Sequence, residues 1–202
     1  MTSIGKKAFQ GCTGLVSITI PDSVTSIGDG AFAKCTSLST ITVLGNVEGL
    51  NKNIFLDTEY YKTASNWEND VLYIGTHLIE AKASLSGAYA IKQGTVSVAP
   101  NAFSACNGLT SITIPASVTS IGVGAFESCY ELSQVHIADL TAWLRISFAT
   151  ADTNPMYYAD NLYLDGVRVT DIVCPDGTKS IGDYAFYGCW GLSSIPYRGL
   201  SV

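Results

Sequence analysis

The chain has 202 residues and little charge: 14% of them are Asp, Glu, Lys or Arg, well below the roughly 25% of an average globular protein. The balance is acidic, 17 acidic residues against 11 basic ones, for a formal net charge of −6. The basic residues are scattered, and the densest spot is Lys6-Lys7. Phosphate backbones are held by clustered Lys and Arg, so nucleic acid is excluded as a partner. No apolar run reaches the roughly 18–20 residues that cross a bilayer, so no membrane insertion is expected within this stretch. No basic and apolar leader opens the chain. Thr2-Ser3-Ile4-Gly5 already lies inside a repeat, which reads as a piece cut from a longer protein.

The usual carriers of catalysis are also scarce. There are 2 His, His77 and His136, and no Gly-x-Ser-x-Gly. Neither His has a recognisable nucleophile or orienting acid in sequence, so both read as surface side chains. The six cysteines include no C-x₂-C pair of the kind that metal sites use. Asp152-Thr153-Asn154 begins like a calcium loop, but the turn glycine and closing Glu of an EF-hand are missing. No metal or cofactor is expected, and the chain reads as no enzyme.

What the chain has in quantity is a repeat. Ser-Ile-Gly-x-x-Ala-Phe-x-x-Cys fills residues 3–12, 26–35, 120–129 and 180–189, and returns with variations at 97–106. Phe9 to Phe32, Cys12 to Cys35 and Phe103 to Phe126 are each 23 residues apart. Between copies runs a second phrase: Leu15-x-x-Ile18-x-Ile20-Pro21, Leu38-x-x-Ile41-x-Val43, Leu109-x-x-Ile112-x-Ile114-Pro115 and Leu132-x-x-Val135-x-Ile137. Strict alternation predicts a short strand with one buried face, and proline ends it by withholding an N–H. The glycine after Ile allows a tight turn or a close backbone approach. Phe and Cys three apart suit one helical or 3₁₀ turn. A single 23-residue unit cannot bury its own apolar edge, whereas stacked units can, with strands about 4.8 Å apart. Phe9, Phe32, Phe103, Phe126 and Phe186, with Cys12, Cys35, Cys106, Cys129 and Cys189, are therefore the expected repeat core. Adjacent rungs would sit within disulfide range. Equivalent side chains point in parallel, however, and buried thiols are expected instead.

These residues resemble the signature of the BspA-type leucine-rich repeat family, over roughly 2–47, 95–140 and 169–202. The resemblance implies one curved, mostly β, right-handed solenoid. A parallel sheet would form one face and short 3₁₀ or irregular segments the other. The whole of 1–202 would make about seven or eight rungs, roughly 35–40 Å at the strand spacing. It also implies a bacterial cell-surface or secreted protein that adheres to host matrix proteins or to other cells.

Two stretches, about 48–94 and 139–179, break the period. Each carries a tyrosine pair, Tyr60-Tyr61 and Tyr157-Tyr158, followed by a Leu-Tyr segment and a turn. Each reads as a modified rung containing a hairpin, with Asp165-Gly166 the stronger turn signal. Val169-x-x-Ile172-x-Cys174-Pro175 then rejoins the strand phrase, with Cys174 facing inward. The final Ile195-Pro196-Tyr197-Arg198-Gly199 departs from it.

Candidate ligand-binding residues fall in two groups. Tyr60, Tyr61, Trp67, Tyr157 and Tyr158 combine apolar area with a polar handle, as interface anchors and sugar platforms do; packing of the enlarged rungs is the equally weighted reading. Trp143 reads as inward-facing. Thr19, Thr42, Thr113 and His136, continuing to Val173, form an outward column able to bind protein or glycan through many weak hydrogen bonds, or merely to be good β-surface. The expectation is a non-enzymatic binding module for a protein ligand, such as host extracellular matrix, or for a glycan. A structural spacer and a glycan site between the two irregular stretches are the alternatives.

Overall fold

The computed structural model describes residues 1–146, 148–175, 178 and 180–194. The departure expected at 195–199, and Lys179 at the border of the second irregular stretch, lie outside the described residues. The chain divides into two compact units, Met1–Lys82 and Ala83–Val202.

In the first unit, β1 (Ser3–Ile4), β2 (Ser17–Ile20), β3 (Ser26–Ile27) and β4 (Thr40–Val43) come from two successive copies. β1 pairs with β3 in parallel, Ile4 opposite Ile27. β2 pairs with β4 in parallel, Ile18 opposite Ile41. Partners are 23 residues apart, as stacking of equivalent positions requires. The return path is more regular than expected, because its Ser-Ile step builds a second parallel ladder. The Phe-to-Cys step is a hydrogen-bonded turn in all five copies: the Cys N–H donates to the Phe carbonyl at 3.0–3.2 Å.

The rings of Phe9 and Phe32 stack at 5.2 Å and 2°, and those of Phe32 and Phe55 at 5.8 Å and 4°. Phe55 lies 23 residues beyond Phe32, so the register runs on into the first irregular stretch. Thr58 stands where Cys would fall, wholly buried, and its hydroxyl donates to the Phe55 carbonyl at 2.7 Å. The same side chain caps the short helix α1 (Glu59–Lys62). β5 (Trp67–Glu68), β6 (Val71–Ile74) and β7 (His77–Ala81) follow as an antiparallel meander, which contains the expected hairpin.

The second unit holds β8 (Ser86–Ala90), β9 (Ser97–Val98), β10 (Gly108–Ile114), β11 (Ser120–Ile121), β12 (Gln134–Ile137), β13 (Asn161–Leu164) and β14 (Val167–Arg168). β8, β10, β12 and β13 are parallel neighbours, and β14 closes them antiparallel through Asp165-Gly166. Both turn residues have positive φ, 49° and 78°, as a two-residue hairpin turn demands. Phe103 stacks on Phe126 at 5.1 Å and 4°. In the second irregular stretch Asp139 caps α2 (Leu140–Arg145). Trp143 turns inward and its Nε1 donates to the Ala185 carbonyl at 2.9 Å.

The repeat glycine serves close approach. A Cβ at Gly28 would lie 2.3 Å from the Lys6 backbone nitrogen, and one at Gly122 2.3 Å from that of Pro100.

Several expectations need correction. Phe9 is 41% exposed and Cys12 is exposed, because a rung covers only one face of their copy. Phe186 and Cys189 are only half-buried, since no described rung follows theirs. His77, expected at the surface, is buried. Its Nε2 lies 3.2 Å from the Gly45 carbonyl, and burial lowers its pKa. The long-strand ladder of the second unit continues from β12 into β13, not to Val173, so Tyr163 stands next to His136. Around Ile172 one bridge, Asp171 to Ser194, replaces the predicted strand, although Ile172 and Cys174 are buried as expected.

Candidate functional site

The tyrosine pairs of the two irregular stretches meet opposite fates. In the first, Tyr60, Tyr61 and Trp67 pack half-buried against the core of the first unit. The Tyr60 hydroxyl donates to the Tyr73 carbonyl at 2.9 Å. The Tyr61 hydroxyl donates to Glu80, which also holds Lys52 Nζ at 2.7 Å. Trp67 Nε1 donates to the Tyr61 carbonyl at 2.9 Å, and Lys82 Nζ sits 5.1 Å over the indole. Burial first, and then Glu80 as acceptor and neighbouring charge, drive the Tyr61 pKa far above its ordinary range. These three aromatics tie helix and meander together, and their polar ends are committed within the unit.

In the second stretch Asn154 is fully buried. Its side-chain amide donates to the carbonyls of Tyr184 at 2.8 Å and Ala185 at 3.2 Å, while its Oδ1 accepts from Met156 N. The 3₁₀ turn it caps, Pro155–Tyr157, buries Met156 and leaves Tyr157 49% exposed. From Tyr157 a chain of contacts runs across neighbouring rungs. Its ring meets Tyr158 edge-on at 5.0 Å and stacks on Tyr187 at 6.0 Å and 10°. Tyr187 meets Tyr184 at 6.1 Å. On the other side the Tyr158 phenol lies beside the backbone of Ser128, whose Oγ lies 3.2 Å from the Tyr130 hydroxyl. Burial, together with the charges of Asp152 and Glu127, raises the Tyr158 pKa. The result is a continuous tyrosine edge on the turn side of the second unit. Tyr184, Tyr187 and Tyr130 escaped the sequence reading because they sit in ordinary repeat copies. The available signal was aromatic residues at repeat places that are small or polar elsewhere.

The outward column has its expected register in part. Thr19 faces Thr42, both exposed. Thr113 faces His136, and His136 stacks on Tyr163 at 4.6 Å and 14°. His136 Nε2 lies 3.2 Å from Gln134 Oε1. Beside β14 an open cleft of about 390 Å³ is lined mainly by Leu140, Leu164, Val167, Val169 and Ile172, with Arg168 and Asp171 at its polar wall. Asp171 accepts from Ser194, Ser193 and Thr170, and these hydroxyls lower its pKa.

The cysteines stand as thiols, not disulfides. Cys35 Sγ donates to the Phe9 carbonyl at 3.0 Å and Cys129 Sγ to that of Phe103 at 3.1 Å. Burial pushes the Cys129 thiol up to about 12. Among the described residues no group of three or more His, Cys, Asp or Glu is placed to hold a metal ion, and no helix is long and apolar enough to cross a membrane.

A sequence profile described as BspA type leucine-rich repeat region matches residues 1–89, 87–151 and 158–199 in six copies. No curated protein matches the chain. Among solved structures, a leucine-rich cell surface protein from Faecalibacterium prausnitzii is 24% identical with TM-score 0.37, over 100% of this chain and 52% of that one. A leucine-rich repeat protein from Eubacterium ventriosum is 21% identical with TM-score 0.44, over 97% of this chain and 70% of that one. One from Bacteroides ovatus is 23% identical with TM-score 0.34, over 98% and 53%. The chain thus spans about half the length of two of these three.

Proposed function

We propose that this chain, which belongs to the BspA-type leucine-rich repeat family, is a non-enzymatic protein-binding module of a bacterial cell-surface or secreted protein and serves adhesion to host matrix proteins or to other cells. The family supplies the scaffold, and a repeat scaffold of this kind presents a binding surface built from many rungs. The observation that carries the reading is the exposed tyrosine edge of the second unit, running from Tyr130 through Tyr157 to Tyr184. Tyrosine anchors interfaces because it joins large apolar area to a hydroxyl at small entropic cost. A structural spacer has no use for such an edge.

The test is a binding screen of the chain against fibronectin, fibrinogen and a glycan array. Saturable binding to a matrix protein supports adhesion. Binding confined to glycans replaces the protein ligand by a sugar, and binding to nothing puts the spacer reading in front.

A further inference from the structure

The repeat writes the same places differently along the chain. The place after the repeat cysteine holds Thr13, Thr36 and Asn107 in three copies, but Tyr130 and Trp190 in the last two. These two are 75% and 80% exposed. Two places before the repeat Phe the backbone is left-handed in all five copies: Lys7, Gly30, Asn101, Gly124 and Tyr184 stand there with φ of 58°, 66°, 57°, 65° and 56°. A bulky ring in that conformation costs backbone energy that glycine avoids. Tyr184 is also 46% exposed, so core packing does not account for it. The other copies hold Lys, Gly or Asn at this place, so the turn does not call for an aromatic there either.

Charge is sorted in the same way. The segments that build this edge, 121–131, 148–160 and 180–194, contain no Lys, Arg or His and five carboxylates. Two of these, Glu127 and Asp152, lie close enough to Tyr158 to act on its phenol. The matching turns of the first unit, 3–13 and 26–36, carry Lys6, Lys7 and Lys34 against one carboxylate, Asp29.

We infer that the tyrosine edge of the second unit docks a basic segment of a partner protein, with guanidinium or ammonium groups lying over the Tyr157 and Tyr187 faces and meeting Glu127 and Asp152. This deepens the protein-binding reading and rests on it. A flat ring attracts a cation through its quadrupole, and arginine also stacks on it. Carboxylates around the rings add long-range attraction that a neutral sugar does not exploit and an acidic sugar opposes.

The probe is a ten-residue peptide alternating Arg and Gly, titrated by calorimetry into the intact chain. The same peptide with Glu for Arg, and neutral maltohexaose, run beside it. The Arg peptide binds, more weakly as salt rises, and the other two do not. Tyr157→Ala with Tyr187→Ala weakens the Arg peptide about tenfold, and Glu127→Gln with Asp152→Asn flattens its salt dependence. Tyr184→Gly also weakens binding, while its thermal midpoint stays level or rises because left-handed strain is relieved; this variant separates loss of binding from loss of fold. Binding of maltohexaose but not the Arg peptide overturns the inference, as does Arg-peptide affinity unchanged by the tyrosine substitutions. Matrix-protein binding that survives those substitutions, and that the Arg peptide does not compete, removes this inference and leaves the adhesion reading standing. Arg-peptide binding through the tyrosines, with no matrix protein bound in the screen, does the reverse.

Discussion

The two tyrosine pairs, Tyr60-Tyr61 and Tyr157-Tyr158, look alike in sequence and are used in opposite ways. In the first stretch the rings are drawn into a closed network of Lys52, Glu80, Trp67 and Lys82. In the second, the interior is filled by Trp143, Phe148 and Met156, and Asn154 takes the buried hydrogen bonds. With the core already occupied, Tyr157 is left outside against Tyr187. An aromatic pair becomes surface when other side chains have filled the space beneath it.

The comparison breaks most easily at Trp143. It is 2% exposed and holds the Ala185 carbonyl. Trp143→Ala should cost about 3–5 kcal/mol in urea unfolding, because it leaves a cavity and an orphaned acceptor. A loss under about 1 kcal/mol would mean that Tyr157 and Tyr158 anchor the second stretch after all.

The next effect tests stacking in both units. Gly28→Ala and Gly122→Ala should each cost about 1–3 kcal/mol by overpacking against backbone. Gly5→Ala should cost little, because its Cβ would meet nothing within 4 Å. Equal losses at all three positions would point to chain flexibility, not close approach.

The tyrosines themselves come third. Tyr61→Phe removes a hydrogen bond to a carboxylate and should cost about 1–2 kcal/mol, whereas Tyr157→Phe should stay within about 0.5 kcal/mol. The pH response follows from the same contact. The folded Tyr61 pKa is raised above its unfolded value, so the contribution is fully present below about pH 10 and is lost as pH rises further. Chemical denaturation of wild type and Tyr61→Phe across this range should show the gap between them closing. A gap that widens contradicts the assigned donor.

The smallest effect concerns the thiols. Under denaturing conditions without reductant, six thiols should react with a disulfide reagent. In the native chain exposed Cys12 should react first, and Cys35 and Cys129 should lag, because burial holds their protons on. Fewer than six thiols would establish a disulfide.

Much of the fold was legible from local rules. The alternation in Leu-x-x-Ile-x-Ile identified β2, β4, β10 and β12. The 23-residue period set their pairing, since Ile18 can meet Ile41 only if equivalent places stack. Asp165-Gly166 named the second hairpin turn. The continuation of the register to Phe55 and Thr58 was less visible, because Thr replaces Cys and Asn51 replaces Gly. Shape survives there while the letters change. The candidate site was legible only in half: Tyr157 and Tyr158 were named, Tyr184, Tyr187 and Tyr130 were not.

The sequence by itself determined the stacking unit, its length and the inward places of Ile and Val, because periodicity is a property of neighbours along one strand. It also determined the acidic, low-charge character of the chain. Only the tertiary structure decided which aromatics are exposed, that His77 is buried, and that Tyr163 rather than Val173 follows His136. Exposure depends on what the adjacent rung has already placed in the shared space. That competition is settled between residues some 20 to 30 positions apart, as with Tyr157 and Tyr187, and composition within either rung does not contain it.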